Sequence, residues 1–384
     1  MIMRTHYDLI VVGGGVLGTF HAYQALMQGL RVCLIDRNNT PQGSSVQNFG
    51  QAVPSGFGVK WQRYGRKSLE IYKHIQSKFD ITVRNNGSIY LASNAEEMTL
   101  LEELAEINRT QDYSSQLLTA EECLHRYPGL RADYCVGGLF FPDEVTLEPR
   151  EAISRIHQYL REQSALDIYN NTLIIGIDSS DSEVWLRSSD GRSFSGERVL
   201  ICNGYEFQLL FPDVFAQSDI ELVKLQMLLL EAQPTQRIPG SILTGLTIRR
   251  YESFKECPSY AAIKAKEDPE AYARKWGVHI LFKQMTDGAI ILGDSHEYAD
   301  INQPELLGRE LREDLNQFMI AEGKKIFDLQ NWAVRETWFG MYAQCKTGDI
   351  FRHYVDDRVL ILTGIGGKGM TASAGYAYYE PIFQ

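Results

Sequence analysis

Gly13, Gly15 and Gly18 follow an apolar run, Tyr7 to Val12, at the spacing G-x-G-x-x-G, and a helix-forming stretch opens among them at Val16 and Leu17. Each glycine has a separate job at such a turn. The first permits the tight bend, the second lets backbone approach a pyrophosphate, and the third lets the helix lie close to the strand. The helix N-terminus then offers unpaired N–H groups to the phosphates. Asp36 ends a second apolar run, Arg31 to Ile35, where a carboxylate accepts hydrogen bonds from ribose hydroxyls, and Arg37 follows it. Strand, turn, helix and acid in register predict a dinucleotide site near the N-terminus.

A second glycine cluster bears on which dinucleotide this is. Arg358 to Thr363 reads as a buried strand, and Gly364-Ile365-Gly366-Gly367-Lys368-Gly369-Met370-Thr371 follows it. Too little chain follows for a second βαβ unit. The loop therefore either caps a strand or turns its N–H groups toward something negative. A reduced flavin, anionic at N1 and the C2 carbonyl, suits the second role. The small, polar segment Arg37 to Gln51, with Ser44, Ser45, Asn48 and Gly50, lies where the chain must pass from the adenine end toward a ring system. By itself it reads as a surface loop.

The elements that must position these groups follow from the rest of the chain. Its 384 residues suffice for two domains, and 44% hydrophobic with 23% charged residues is ordinary for a globular enzyme. A net charge of -11 argues against nucleic acid or anionic membrane as partner. No apolar run suggests a membrane span or a signal peptide. The six cysteines lack C-x-x-C spacing and the eight histidines lack H-E-x-x-H, so neither a disulfide framework nor a metal site is indicated, and a cytoplasmic setting is expected. Helices are predicted near 61–79 and 151–163, and FAD-side strands near 168–177, 183–187 and 198–202. Strand-rich stretches at 87–141 and 219–292 would build a second sheet, with 255–276 an insertion over it. The expected fold class is α/β: a Rossmann-like cofactor domain (1–80, 146–215, 331–384) interleaved with an α+β substrate domain on a large mixed sheet (81–145, 216–330).

These segments resemble the D-amino-acid oxidase superfamily of FAD-dependent oxidoreductases, which includes glycine and sarcosine oxidases, over nearly the whole chain. Val199 to Gly204 and Trp338 to Tyr342 carry further likeness. The strings Val223 to Met227, Leu246 to Tyr251, Gly293 to Tyr298 and Asn203 to Pro212 look closer to a subgroup associated with phosphonate catabolism. The resemblance implies FAD contacts at Gly13, Gly15, Val16, Leu17, Gly18, Asp36, Arg37, Ser44, Ser45, Asn48, Gly50, Gln51, Leu173, Asn203, Gly204 and Gly340. Gly366, Gly367, Lys368, Gly369, Met370 and Thr371 complete the set. It also implies oxidation of a C–N bond in a small amine, an amino acid or aminoalkylphosphonate. Hydride passes to flavin N5, the imine hydrolyses, and oxygen or another acceptor takes the electrons.

Departures from the family pattern matter as much. Tyr342 stands where related oxidases place a carboxylate-binding arginine. Gly340 replaces a flavin-linking cysteine, and Cys345 is out of register, so noncovalent FAD is expected. Thr371 replaces a lysine, and Lys368 takes a histidine's place. Ile291 replaces an oxygen-activating lysine. With the usual grips gone, Arg249 or Arg250, adjacent in an expected strand, could clamp an anion while the other faces away. Tyr251, His279, His296 and Tyr342 are further substrate candidates, with Lys224 and Gln226 on one strand face. Lys368 and His296 are the catalytic candidates. A dehydrogenase passing electrons to a quinone or carrier protein, a non-catalytic flavoprotein and an NAD-dependent reductase are the alternatives.

Overall fold

The structure, a computed structural model, describes residues 6–163 and 166–382. Residues 1–5, 164–165 and 383–384, which fall within the expected cofactor domain, lie outside the described residues.

The first sheet is built from near-continuous apolar runs, as strands buried on both faces require. His6–Val12 lies at its centre, paired in parallel with Val32–Ile35 on one side and Ser193–Ile201 on the other. Leu166–Tyr169 and Val359–Thr363 extend the parallel set outward, and Phe351–Tyr354 closes one edge antiparallel. The hairpin Ile174–Ser179 and Val184–Ser188 leans on Ser193–Ile201. The strand expected across 168–177 is thus two strands, broken where Asn171 adopts a positive φ of 51°. Helices Val16–Met27, Val59–Gln76, Pro149–Gln163 and Gly369–Tyr379 cover one face around Leu9, Val11 and Leu34.

The second sheet has nine strands, with Ile220–Leu230 paired along its full length to Val334–Cys345. Strand alternation sorts the side chains of Ile220–Leu230. Leu225, Met227 and Leu229 join the core that faces the first domain, while Leu228 and Leu230 face Glu313–Ile326 on the far side. Lys224 and Gln226 share that far side. The Lys224 Nζ donates to the Leu307 and Glu310 carbonyls at 3.0 and 2.7 Å, and Gln226 Nε2 donates to the Arg312 carbonyl at 2.8 Å. Neither reaches the cleft between the sheets, which removes both from the substrate candidates.

Arg249 and Arg250 are not in a strand. Ser241–Leu243 ends at Thr244, whose hydroxyl donates to the Ile280 carbonyl at 2.7 Å, and the chain turns through the short helix Gly245–Ile248. The alternating residues Leu246 to Ile248 imitate a strand in sequence, but the Thr244 carbonyl captures the Thr247 and Ile248 amides at 2.8 and 3.1 Å. The insertion at 255–276 forms the short helices Tyr260–Lys264 and Tyr272–Lys275, tied down where Ser259 donates to Glu103 and Lys264 Nζ donates to the Arg249 carbonyl at 2.8 Å.

Candidate active site

The N-terminal glycine turn is packed so tightly that only hydrogen fits. A Cβ on Gly13, whose φ is +110°, would lie 2.1 Å from the Cys202 carbonyl oxygen, and one on Gly18 would lie 2.0 Å from that of Gly13. The helix Val16–Met27 has no side-chain cap and opens on a cleft. The Asp36 carboxylate accepts from the Gly14 and Asn38 amides at 2.7 and 2.8 Å, which fixes it beside the turn. The C-terminal glycine loop arrives from the other side. Gly364 and Gly366 take positive φ of 70° and 68°, and a helix without a side-chain cap, Gly369–Tyr379, begins there. A Cβ on Gly369 would sit 3.5 Å from Val16 Cγ1, so the two loops meet.

Between them runs one trough. Its adenine-side part, about 220 Å³, is lined by Gly13, Gly15, Asp36, Arg37, Ser44, Ser45, Leu173, Asn203 and Gly204. Its deeper part, about 360 Å³, shares Gly15, Ser44, Ser45 and Gly204 and adds Val16, Leu17, Gly18, Asn48, Gln51, Gly340 and Gly366 to Thr371. Every FAD contact expected from the sequence lines the trough except Gly50. That residue is a turn behind it, with φ +70° and its amide on Asn48 Oδ1 at 2.8 Å. The buried Gln51 Oε1 and Asn203 Oδ1 have no partner among the described residues, so the walls present unmet polar groups that an extended, hydrogen-bonding cofactor would meet.

The far end of the deeper part gathers Arg250, Tyr251, His279, Asp294, His296 and Tyr342. Arg250 donates to the Gly277 carbonyl at 2.5 Å and to the Tyr298 hydroxyl at 2.7 Å. His296 Nδ1 meets the same carbonyl at 3.1 Å, so that nitrogen carries its proton. The two imidazoles lie 5.3 Å apart, and the Tyr251 ring lies 5.4 Å from His279, tilted by 51°. Burial first, and the Arg250 charge second, hold both histidines well below the ordinary range, so both are neutral at pH 7. Burial pushes the Asp294 carboxyl up to about 7 against the pull of Arg250.

His279, Asp294 and His296 each present a ligand-type atom within 4.8 Å of the others, a set a transition metal can use. The Arg250 charge, felt at all three, disfavours a metal dication on the two histidines and favours an anion beside it. Arg249 does not line this cleft. It donates through Nε to Glu97 Oε1 at 2.9 Å on the opposite side of the wall. There a second cavity of about 620 Å³ is lined by Arg249, Arg250, Lys264, Lys266, Arg274 and Lys275 against Glu96, Glu267 and Asp268. Arg250 and His296 border both cavities.

Lys368 stands elsewhere along the cleft, its Nζ 3.3 Å from Glu252 Oε1 and 5.4 Å from the Trp61 ring. Behind Tyr251, the turn Pro54–Gly56 is held by the buried Glu144, which accepts from the Ser55 amide at 2.7 Å, Tyr113 at 2.6 Å and Ser88. A Cβ on Gly56 would lie 2.6 Å from the Tyr251 ring. Sequence reading missed Asp294 and Glu144. The only signal for Asp294 was its place next to a candidate histidine pair's strand end, Gly293-Asp294-Ser295-His296.

A glycine-built trough for a dinucleotide, ending in a polar pocket on the second sheet, is matched by the comparisons with known proteins. Residues 8–379 match the family described as DAO, FAD dependent oxidoreductase. The chain belongs to this family. It is 22% identical to glycine oxidase of Bacillus licheniformis over 376 residues, 94% of this chain and 88% of that protein. It is 20% identical to monomeric sarcosine oxidase of Bacillus sp. (strain B-0618) over 295 residues, 72% of this chain and 74% of that protein. L-proline dehydrogenase from P.horikoshii superposes with a TM-score of 0.77 at 17% identity, over 98% of this chain and 92% of that one. The expected α/β fold, a Rossmann-like domain with a mixed-sheet domain, is the fold observed. The chain is an FAD-dependent amine or amino-acid oxidoreductase. Among the described residues, no helix is long and apolar enough to cross a membrane.

Proposed function

We propose that this enzyme oxidises the C–N bond of a small primary or secondary amine that carries an anionic group, with an aminoalkylphosphonate such as N-methyl-2-aminoethylphosphonate as the favoured substrate. The observation that carries this reading is Arg250 at the polar end of the cleft, its fork steadied by the Gly277 carbonyl and the Tyr298 hydroxyl. A guanidinium so held grips two oxygens of a phosphonate or carboxylate. Two neutral imidazoles and the Tyr251 and Tyr342 hydroxyls add hydrogen-bonding groups without adding charge. Tyr342 stands where an arginine would grip a plain amino acid, which turns the preference toward the Arg250 side.

FAD, when bound, supplies the two-electron acceptor for the hydride. Gly13, Gly15, Gly18 and the N-terminus of Val16–Met27 would take its pyrophosphate, Asp36 its ribose, and Gly366 to Thr371 with Gly340 its ring system. Binding is noncovalent in this reading. Gly340 offers no side chain for a bond. Cys202, the cysteine among the lining residues, packs under the Gly13 turn, where burial pushes its thiol up. Leu225, Met227, Leu281 and Phe57 wall the pocket with apolar surface that keeps bulk water from the reacting carbon. Arg250 fixes the anion, and the amine end is thereby held beside Asp294 with the reacting carbon toward the trough. The imine hydrolyses after release to an aldehyde or oxoacid and the freed amine, and hydrogen peroxide forms where oxygen is the acceptor.

A dehydrogenase reading has one observation in its favour: no unpaired lysine stands among the described residues that line the cleft. Ile291 is apolar and buried in its strand, and Lys368 is paired with Glu252. Turnover of N-methyl-2-aminoethylphosphonate in air, followed by peroxide and carbonyl formation with sarcosine and glycine in parallel, tests both points. Peroxide from the phosphonate supports the oxidase. Carbonyl formed only with an artificial acceptor supports the dehydrogenase. Turnover of glycine or sarcosine alone removes the phosphonate preference.

A further inference from the structure

We infer that Asp294 is a catalytic residue: its carboxylate receives the ammonium end of the arriving substrate and takes the proton that the nitrogen must lose before the adjacent C–H bond is oxidised. The inference rests on the amine-oxidation reading and deepens it.

An amine of ordinary basicity reaches the cleft as R–NH3+ or R2NH2+, and its α-carbon gives up hydride only when the nitrogen holds a free pair to form the imine. The protein therefore needs a proton acceptor beside the anion clamp. Two carboxylates line the deeper cleft. Glu252 is 43% exposed and paired with Lys368, so it is spoken for. Asp294 is buried, and its Oδ1 has no hydrogen-bond partner among the described residues. Its backbone is rigidly placed: the His279 amide donates to the Asp294 carbonyl at 2.8 Å, and the Ser295 amide donates to the Gln226 carbonyl at 3.2 Å.

The groups facing Asp294 each have a reason not to take the proton. Arg250 is permanently charged. His296 already carries its proton on Nδ1, 3.8 Å from Asp294 Oδ1, and a second would make it a cation beside Arg250. His279 is buried against the same charge. Tyr251, Tyr298 and Tyr342 are raised by burial and remain protonated. In the step itself the N–H bond breaks, its pair stays on nitrogen, and an O–H bond forms on Asp294. The substrate leaves as the iminium cation, the protonated imine, after hydride passes to FAD, the oxidant that the family activity supplies. Burial, which pushes the carboxyl up to about 7, brings it nearer the ammonium it must deprotonate.

The test compares wild-type and Asp294→Asn holoenzymes by the rate of anaerobic flavin reduction with N-methyl-2-aminoethylphosphonate from pH 5.5 to 10. The variant is expected to fall about 10²–10³-fold at pH 7 and to recover as pH approaches the pKa of the free amine. A second readout is binding calorimetry at pH 6, in buffers of different ionisation enthalpy, with an analogue lacking C–H bonds next to nitrogen. The Asp294 carboxyl, largely protonated at pH 6, gives that proton to the buffer as the ammonium arrives, so the wild type should release a proton on binding and the variant should not. A pH profile and proton release unchanged by the substitution overturn the inference while the amine reading stands. A wild type that no anionic amine reduces overturns both.

Discussion

Arg249 and Arg250 are neighbours in the chain and make separate contacts: Arg249 Nε donates to Glu97 Oε1 at 2.9 Å, away from the cleft, while Arg250 donates to the Gly277 carbonyl and the Tyr298 hydroxyl at the polar end of the cleft. The turn after Gly245–Ile248 separates them, not strand alternation. Their roles are therefore expected to be separable by mutation.

Arg250→Ala should raise KM for an anionic amine by roughly 10- to 100-fold, the worth of a charge-assisted bidentate contact. The KM for an uncharged amine should change little. Arg249→Ala should leave both KM values within about twofold and lower thermal stability instead, since Glu97, 5% exposed, keeps only its serine and backbone partners. Steady-state kinetics and a melting curve on both variants check this.

Gly13→Ala should yield protein that purifies without FAD, because its Cβ would collide with the Cys202 carbonyl. Gly204→Ala makes the comparison. Its φ is also positive, at 67°, but a Cβ there meets nothing within 4 Å. Strain of about 1–2 kcal/mol should cost stability at that position while the protein stays yellow. The ratio of flavin to protein absorbance reads the difference.

Glu144 should make stability fall with rising pH. Burial lifts its carboxyl from an ordinary 4.5 to about 7, so the folded chain keeps a proton that the unfolded chain releases. The contribution is fully present below pH 4.5 and is lost as pH rises through 7, a change of roughly 3 kcal/mol. Glu144→Gln should remove that slope, so its stability relative to wild type should be greater at pH 8 than at pH 5. His21 and His157, lowered by burial to about 4, give the opposite slope but are present in both proteins and cancel. Denaturant midpoints at the two pH values decide it.

The basic wall shared with the second cavity should steer anions despite the net charge of -11. Lys275→Glu should lower kcat/KM for an anionic amine several-fold at low salt, and the difference should vanish near 0.5 M salt, where screening shortens to a few ångströms. An uncharged amine should show neither effect.

How much of this was legible in the sequence follows from the range of the forces involved. The cofactor trough was legible because its glycines, its helix starts and Asp36 work through local backbone geometry. Gly50 misled, since a glycine needed for a turn and one needed for a ligand look alike. The strand expected around Arg249 and Arg250 is a helical turn, because Leu246 to Ile248 imitate the apolar alternation of a strand. Lys224 and Gln226 share one face, but only packing against Glu313–Ile326 decides which face that is. Asp294 and Glu144 were invisible because their importance lies in burial among residues far apart in sequence, such as Tyr113 and Ser88 for Glu144.

The most direct test of the central claim is an anaerobic titration of the purified flavoprotein with N-methyl-2-aminoethylphosphonate, sarcosine and glycine, followed at the oxidised-flavin band near ~450 nm, where reduction of the bound cofactor is read directly. Rapid bleaching by the phosphonate, slow or absent with the other two, is the result expected from a flavin amine oxidoreductase with an Arg250 anion clamp. Bleaching by glycine or sarcosine with none from the phosphonate would contradict it.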